Sequence, residues 1–177
     1  MGHREKNWID HYQGPNLLFY RRYVDDTFCL FNNETDANLY FNYLNTRHNN
    51  IKFTMEKEKD EKLPFLDVLI ENSDPKSIHT SVYRKKTFSG LLTNYFSFCS
   101  FVYKIGLIRT LVDRIYKINS TWLGFHRDIK KLTFILRNNC YPFNIIEKVT
   151  KQYLAKVYTT DLASNQSFQG INDSEPT

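Results

Sequence analysis

The apolar residues of this chain change their period partway along, and that change dictates its fold class. In the front half they alternate with polar ones: Ile51, Phe53 and Met55 interleave with Lys52, Thr54 and Glu56, the two-residue period of a half-buried strand. From Lys104 onward the period is helical. Ile105, Ile108, Val112 and Ile115 form one stripe, Phe125, Ile129, Leu132 and Leu136 a second, and Ile146, Val149, Tyr153 and Val157 a third. The expected class is therefore α+β, with antiparallel strands and a helix first and an all-α three-helix bundle after them.

Finer punctuation fills in this outline. Met1 to Gln13 reads as the end of a helix, and Gly14-Pro15-Asn16 as a turn. Asn32 to Asp36 supplies a cap and first-turn acids for a helix reaching about Thr46, with Leu39, Tyr40, Tyr43 and Leu44 on its inner face. Leu63 to Ile70 reads as one buried strand after a charged hairpin tip at Glu56–Lys62, and Ile78 to Arg84 as another strand. Thr87 to Tyr103 is aromatic but has no clear period. Pro142 suits the first turn of the third helix. Three divisions are expected: 1–86, the basic helical segment 87–158, and a polar tail 159–177 that cannot build a core and should be disordered.

Charge sharpens the division. Residues 1–83 hold 10 Lys+Arg against 13 Asp+Glu, whereas residues 84–158 hold 14 against 3. A basic helical half is what a polyanion-handling protein needs. Cys29, Cys99 and Cys140 have no C-x-x-C spacing, so neither a disulfide framework nor a zinc site is expected. No run of eighteen apolar residues and no charged-then-apolar leader occur, so neither a membrane partner nor a signal peptide is expected.

The stretch Arg21-Arg22-Tyr23-Val24-Asp25-Asp26-Thr27-Phe28 places two adjacent acids between short apolar runs. It reads as a hairpin with both carboxylates at its tip. Such acids repel, and the turn lacks the Asn-Gly or Asp-Gly pair of a hairpin chosen for its geometry. A hard divalent cation with oxygen ligands answers the charge, and Mg²⁺ on one or two carboxylates plus substrate phosphates is the usual arrangement of nucleotidyl transfer.

Tyr23-Val24-Asp25-Asp26 matches the Y-x-D-D box of reverse transcriptase palms. The blocks Leu63-Pro64-Phe65-Leu66-Asp67-Val68, Ser81 to Gly90 and Leu107-Ile108-Arg109-Thr110-Leu111 follow in order. Together they resemble the successive blocks of Penelope-like retroelement polymerases, over about residues 1–158. Lys86 departs from the family's pattern, where Pro stands.

The resemblance implies a partial reverse transcriptase palm followed by a thumb-like, helix-turn-helix segment. Asp25 and Asp26 would be the Mg²⁺ carboxylates, with Tyr23 beside the primer terminus and incoming nucleotide. One of Lys57, Lys59 and Lys62 would be the general acid on the leaving pyrophosphate. Arg22, Arg84, Lys85, Lys86, Arg109, Lys130 and Lys131 would touch an RNA template, DNA primer or hybrid duplex, and the location would be intracellular, in the nucleus. The first expected function is a fragment of an RNA-directed DNA polymerase, inactive alone because the upstream aspartate and fingers are not in this sequence. The alternative is a non-catalytic nucleic-acid-binding module acting through the basic helices.

Overall fold

The structure, a computed structural model, describes residues 2–74 and 77–169. It divides into two compact units, Met1–Leu66 and Asp67–Thr177.

The first unit opens with α1 (Gly2–Asp10), followed by the antiparallel hairpin β1 (Phe19–Tyr23) and β2 (Asp26–Leu30). Helix α2 (Glu34–Thr46) begins where expected, because Asn33 Oδ1 accepts the Asp36 N–H at 2.9 Å and satisfies a first-turn donor. Tyr40 is buried on its inner face, but Leu39 is exposed. Tyr12 and Phe31 pack on the Tyr40 ring, and the Tyr43 hydroxyl donates to the Trp8 carbonyl at 2.7 Å.

The strand expected at Ile51–Met55 does not form a ladder, although its burial alternates as the sequence says. The side chain of Asn45 takes the place of a neighbouring strand: Oδ1 accepts the Phe53 N–H at 2.8 Å and Nδ2 donates to the Phe53 carbonyl at 3.4 Å. The charged run does end in a tight turn. Lys59 and Lys62 exchange backbone hydrogen bonds at 3.0 Å across Asp60 and Glu61, both at positive φ. The buried strand expected from Leu63 to Ile70 is broken. β3 (Lys62–Phe65) stops at a turn in which Leu66 has φ +54° and is partly exposed.

In the second unit, β4 (Val68–Asp74) pairs antiparallel with β5 (Ser77–Val82), and three helices follow: α3 (Phe101–Ile118), α4 (Trp122–Asn138) and α5 (Phe143–Gln169). α3 starts three residues before the expected Lys104, with Ser100 as its cap residue. α5 continues past Thr159 to Gln169, and residues 170–177 of the expected tail lie outside the described residues. The core is the junction of the three stripes: Ile108, Val112 and Ile115, Phe125, Leu132 and Leu136, then Ile146 and Val149, closed by Tyr141.

The unit division falls at Leu66/Asp67, ahead of the expected residue 86, because polar side chains tie β5 to the helices. Thr80 Oγ1 donates to the Ile118 carbonyl at 2.6 Å, the Thr80 N–H donates to Ser120 Oγ at 2.9 Å, and the Ser120 N–H returns a bond to the Thr80 carbonyl at 3.1 Å. No apolar period announces such bonds.

Candidate nucleic-acid interface

The helices owe their spacing to two capped links. Asn119, Ser120 and Thr121 join α3 to α4, and Thr121 Oγ1 caps α4 by accepting the Gly124 N–H at 3.1 Å. α4 ends in a Schellman motif without glycine. Cys140 holds φ +66°, its N–H reaches the Arg137 carbonyl, and the Tyr141 N–H reaches that of Leu136. Tyr141 and Leu136 are both buried, which supplies the apolar contact that accompanies this motif.

Two buried polar residues then fix the segment that precedes the helices. Asp128, only 1% exposed on the inner face of α4, accepts the Val82 N–H at 3.1 Å and Asn119 Nδ2 at 3.1 Å, and pairs with Arg84 at 3.4 Å. Asn139 clamps the aromatic stretch. Its Nδ2 donates to the Gly90 carbonyl at 2.8 Å, its Oδ1 accepts the Leu92 N–H at 3.0 Å, and its carbonyl accepts the Tyr95 N–H at 3.0 Å. Gly90, at φ +71°, makes the bend that brings this loop against Ile135.

The loop and α4 border an open depression of about 570 Å³, with Arg84, Phe88, Lys130, Lys131, Phe134 and Asn138 among its lining. Three of the basic residues expected at nucleic acid thus come together. Lys85 and Lys86 are exposed on the same loop; Arg109 is exposed on α3, outside the depression. All three acids between residues 84 and 158 are paired within the unit: Asp128 with Arg84 at 3.4 Å and more loosely with Lys131 at 3.8 Å, Asp113 with Lys117 at 2.8 Å, and Glu147 with Lys151 at 2.8 Å. The excess positive charge is therefore left for solvent and whatever binds there. The sequence reading missed Asp128, Asn139 and Phe134. An acid inside an apolar stripe was the visible signal for the first.

In the first unit, Tyr23 and Asp26 are cross-strand partners, so Val24 and Asp25 alone make the turn. Val24 holds φ +52°, where a β-branched residue is strained, and Arg22 Nη1 donates to the Val24 carbonyl at 2.9 Å. Asp25 lines a depression of about 180 Å³ with Trp8, Tyr20, Arg22, Thr27 and Lys52. By the two-residue period of the ladder, Asp26 and Tyr23 belong to the other face. Of the lysines near the hairpin, Lys52 lines this depression, whereas Lys57 donates to Glu34 at 2.6 Å and holds that carboxyl below its ordinary range. Among the described residues no group of three or more His, Cys, Asp or Glu is placed to hold a metal ion. Asp25 lines the depression and Asp26 does not, so a Mg²⁺ ion held there would need oxygens from beyond these two carboxylates.

Residues 91–151, which run from the aromatic segment into the first turns of α5, match the family model of the animal helix-turn-helix domain. No curated protein and no solved structure matches the chain. Among the described residues no helix is long and apolar enough to cross a membrane.

Proposed function

We propose that the chain is a nucleic-acid-binding module whose helix-turn-helix half grips the phosphate backbone without reading sequence. The observation that carries this reading is the gathering of Arg84, Lys130 and Lys131 on one depression, in the segment 84–158 that holds 14 Lys+Arg against 3 Asp+Glu, so that positive charge remains after Asp128 has taken its pairs with Arg84 and Lys131. Phosphate contacts position a protein and carry no base information. The match of residues 91–151 to an animal helix-turn-helix domain supports nucleic acid as the partner class. A labelled duplex titrated by fluorescence anisotropy tests it: the Lys130→Gln, Lys131→Gln double variant should bind several-fold more weakly whatever the duplex sequence. Unchanged affinity would refute the reading.

A second reading is favoured by the strained hairpin. In it the chain is part of a Penelope-like reverse transcriptase, working in the nucleus on an RNA template and DNA primer. Asp25 and Asp26 would then hold Mg²⁺ together with deoxynucleotide phosphates, and the metal would stabilise charge on the transferring phosphoryl group. Val24 sits in a strained turn beside Asp25, and such strain clusters at functional sites. Primer extension by the chain fused behind a complete palm and fingers, abolished by Asp25→Asn, would support it; extension indifferent to Asp25 would remove it.

A further inference from the structure

We propose that the depression between the Arg84–Leu91 loop and α4 holds an unpaired nucleotide of a single strand, its base against Phe134 or Phe88 and its phosphates on Lys130 and Lys131. The inference rests on the phosphate-binding reading above and goes beyond it by naming the form of nucleic acid.

Three observations carry it. The first is bare aromatic surface beside positive charge. Phe134 is 67% exposed and Phe88 47% exposed, and both line the same depression as Arg84, Lys130 and Lys131. A solvated basic helix needs no phenylalanine at that place. Cations alternating with aromatic faces are what single-strand binding requires, because every base has a face to stack.

The second is shape. The depression, of about 570 Å³, is broad and open to solvent, with room for a nucleotide laid along α4. A duplex offers phosphates and groove edges, and its base faces are closed by their neighbours, so exposed rings would find no base face to stack on in it.

The third is preorganisation. One wall is pinned by the Asn139–Gly90 and Asn139–Leu92 hydrogen bonds, and its other end by the Arg84–Asp128 ion pair. The opposite wall is α4 itself. The Asn138 side chain is exposed at the rim and supplies an amide for a base edge, which tolerates any base because it both donates and accepts.

The test compares a pyrimidine single strand with a blunt duplex of equal length, both titrated by anisotropy against the full chain. Phe134→Leu keeps the apolar bulk of an exposed side chain and removes the ring. Together with Phe88→Leu it should weaken the single strand roughly tenfold, from the usual worth of a base–aromatic stack, and leave the duplex nearly unchanged. A 2-aminopurine in the strand should also be quenched by the wild-type chain and less so by this variant. If the Phe variants leave single-strand affinity and quenching intact while Lys130→Gln, Lys131→Gln weakens both ligands, the stacking site is overturned and phosphate binding stands. If the Lys variant weakens neither ligand, phosphate binding itself has failed, and the stacking site with it.

Discussion

Asn119, the residue that caps α3, donates its side-chain amide to the carboxylate of Asp128 in α4 at 3.1 Å. One hydrogen bond thus couples the end of one helix to the middle of the next across the helix-turn-helix link. The same carboxylate holds Val82 and Arg84, so the angle between the helices and the position of the basic loop depend on one buried acid.

Asp128→Ala should therefore destabilise the second unit by about 3–5 kcal/mol, the usual result of removing one partner from a buried charge pair. Asp128→Asn keeps the shape and one acceptor and should cost less, about 1–3 kcal/mol. Urea unfolding followed by circular dichroism measures both. A loss below 1 kcal/mol for the alanine variant would show that water replaces the carboxylate at little cost.

Val24→Gly should leave the hairpin intact and raise stability by up to about 1 kcal/mol. Glycine removes the strain of a β-branched residue at φ +52°, and the gain is partly offset by the larger entropy glycine loses on folding. Val24 is 68% exposed, so little packing is lost. A clear destabilisation in thermal unfolding would contradict the strain argument.

Asp113 sets an acid dependence. Its carboxyl accepts hydrogen bonds from Lys117 and from the Tyr153 hydroxyl, which hold its pKa below the ordinary Asp value. Because the folded-state value is the lower one, the contribution to stability is present above the unfolded Asp range and fades as pH falls through the depressed value. The stability difference between wild type and Asp113→Asn should thus be constant from pH 7 to about pH 5 and shrink below about pH 4. A difference that persists undiminished in strong acid would mean the carboxylate charge is irrelevant.

Much of this architecture was legible in the sequence, and the gaps have physical causes. The three helical stripes announced the core because apolar burial is periodic, and the Asn33 cap announced the start of α2. The Ile51–Met55 alternation reported burial correctly, but a period says nothing of who supplies the hydrogen bonds, and here a single asparagine does. Leu66 broke an apolar run because the turn forms at a residue without turn chemistry. At the candidate interface, Lys130 and Lys131 were named by the resemblance, and the structure places both on the depression beside α4. Phe134 was hidden because an aromatic on an amphipathic helix is ordinarily read as core.

At the hairpin, divalent-ion binding should be weak. Asp25 lines the depression while Asp26 falls on the other face of the ladder, and two carboxylates without phosphate oxygens make a poor Mg²⁺ site, with a Kd on the order of millimolar. Titration with Mn²⁺ should broaden the Asp25 and Asp26 amide signals in NMR spectra, and Asp25→Asn should lessen the effect. Tight binding that survives substitution of both would place the ion elsewhere.

The measurement that bears most directly on the central claim is the salt dependence of nucleic-acid binding. If the basic helical half engages phosphates, log K should fall linearly with log salt, with a slope of roughly −3 to −6. In the Lys130→Gln, Lys131→Gln variant that slope should flatten by up to about two units, and duplexes of different sequence should share one line. A slope near zero, or one that the double variant leaves unchanged, would contradict the account.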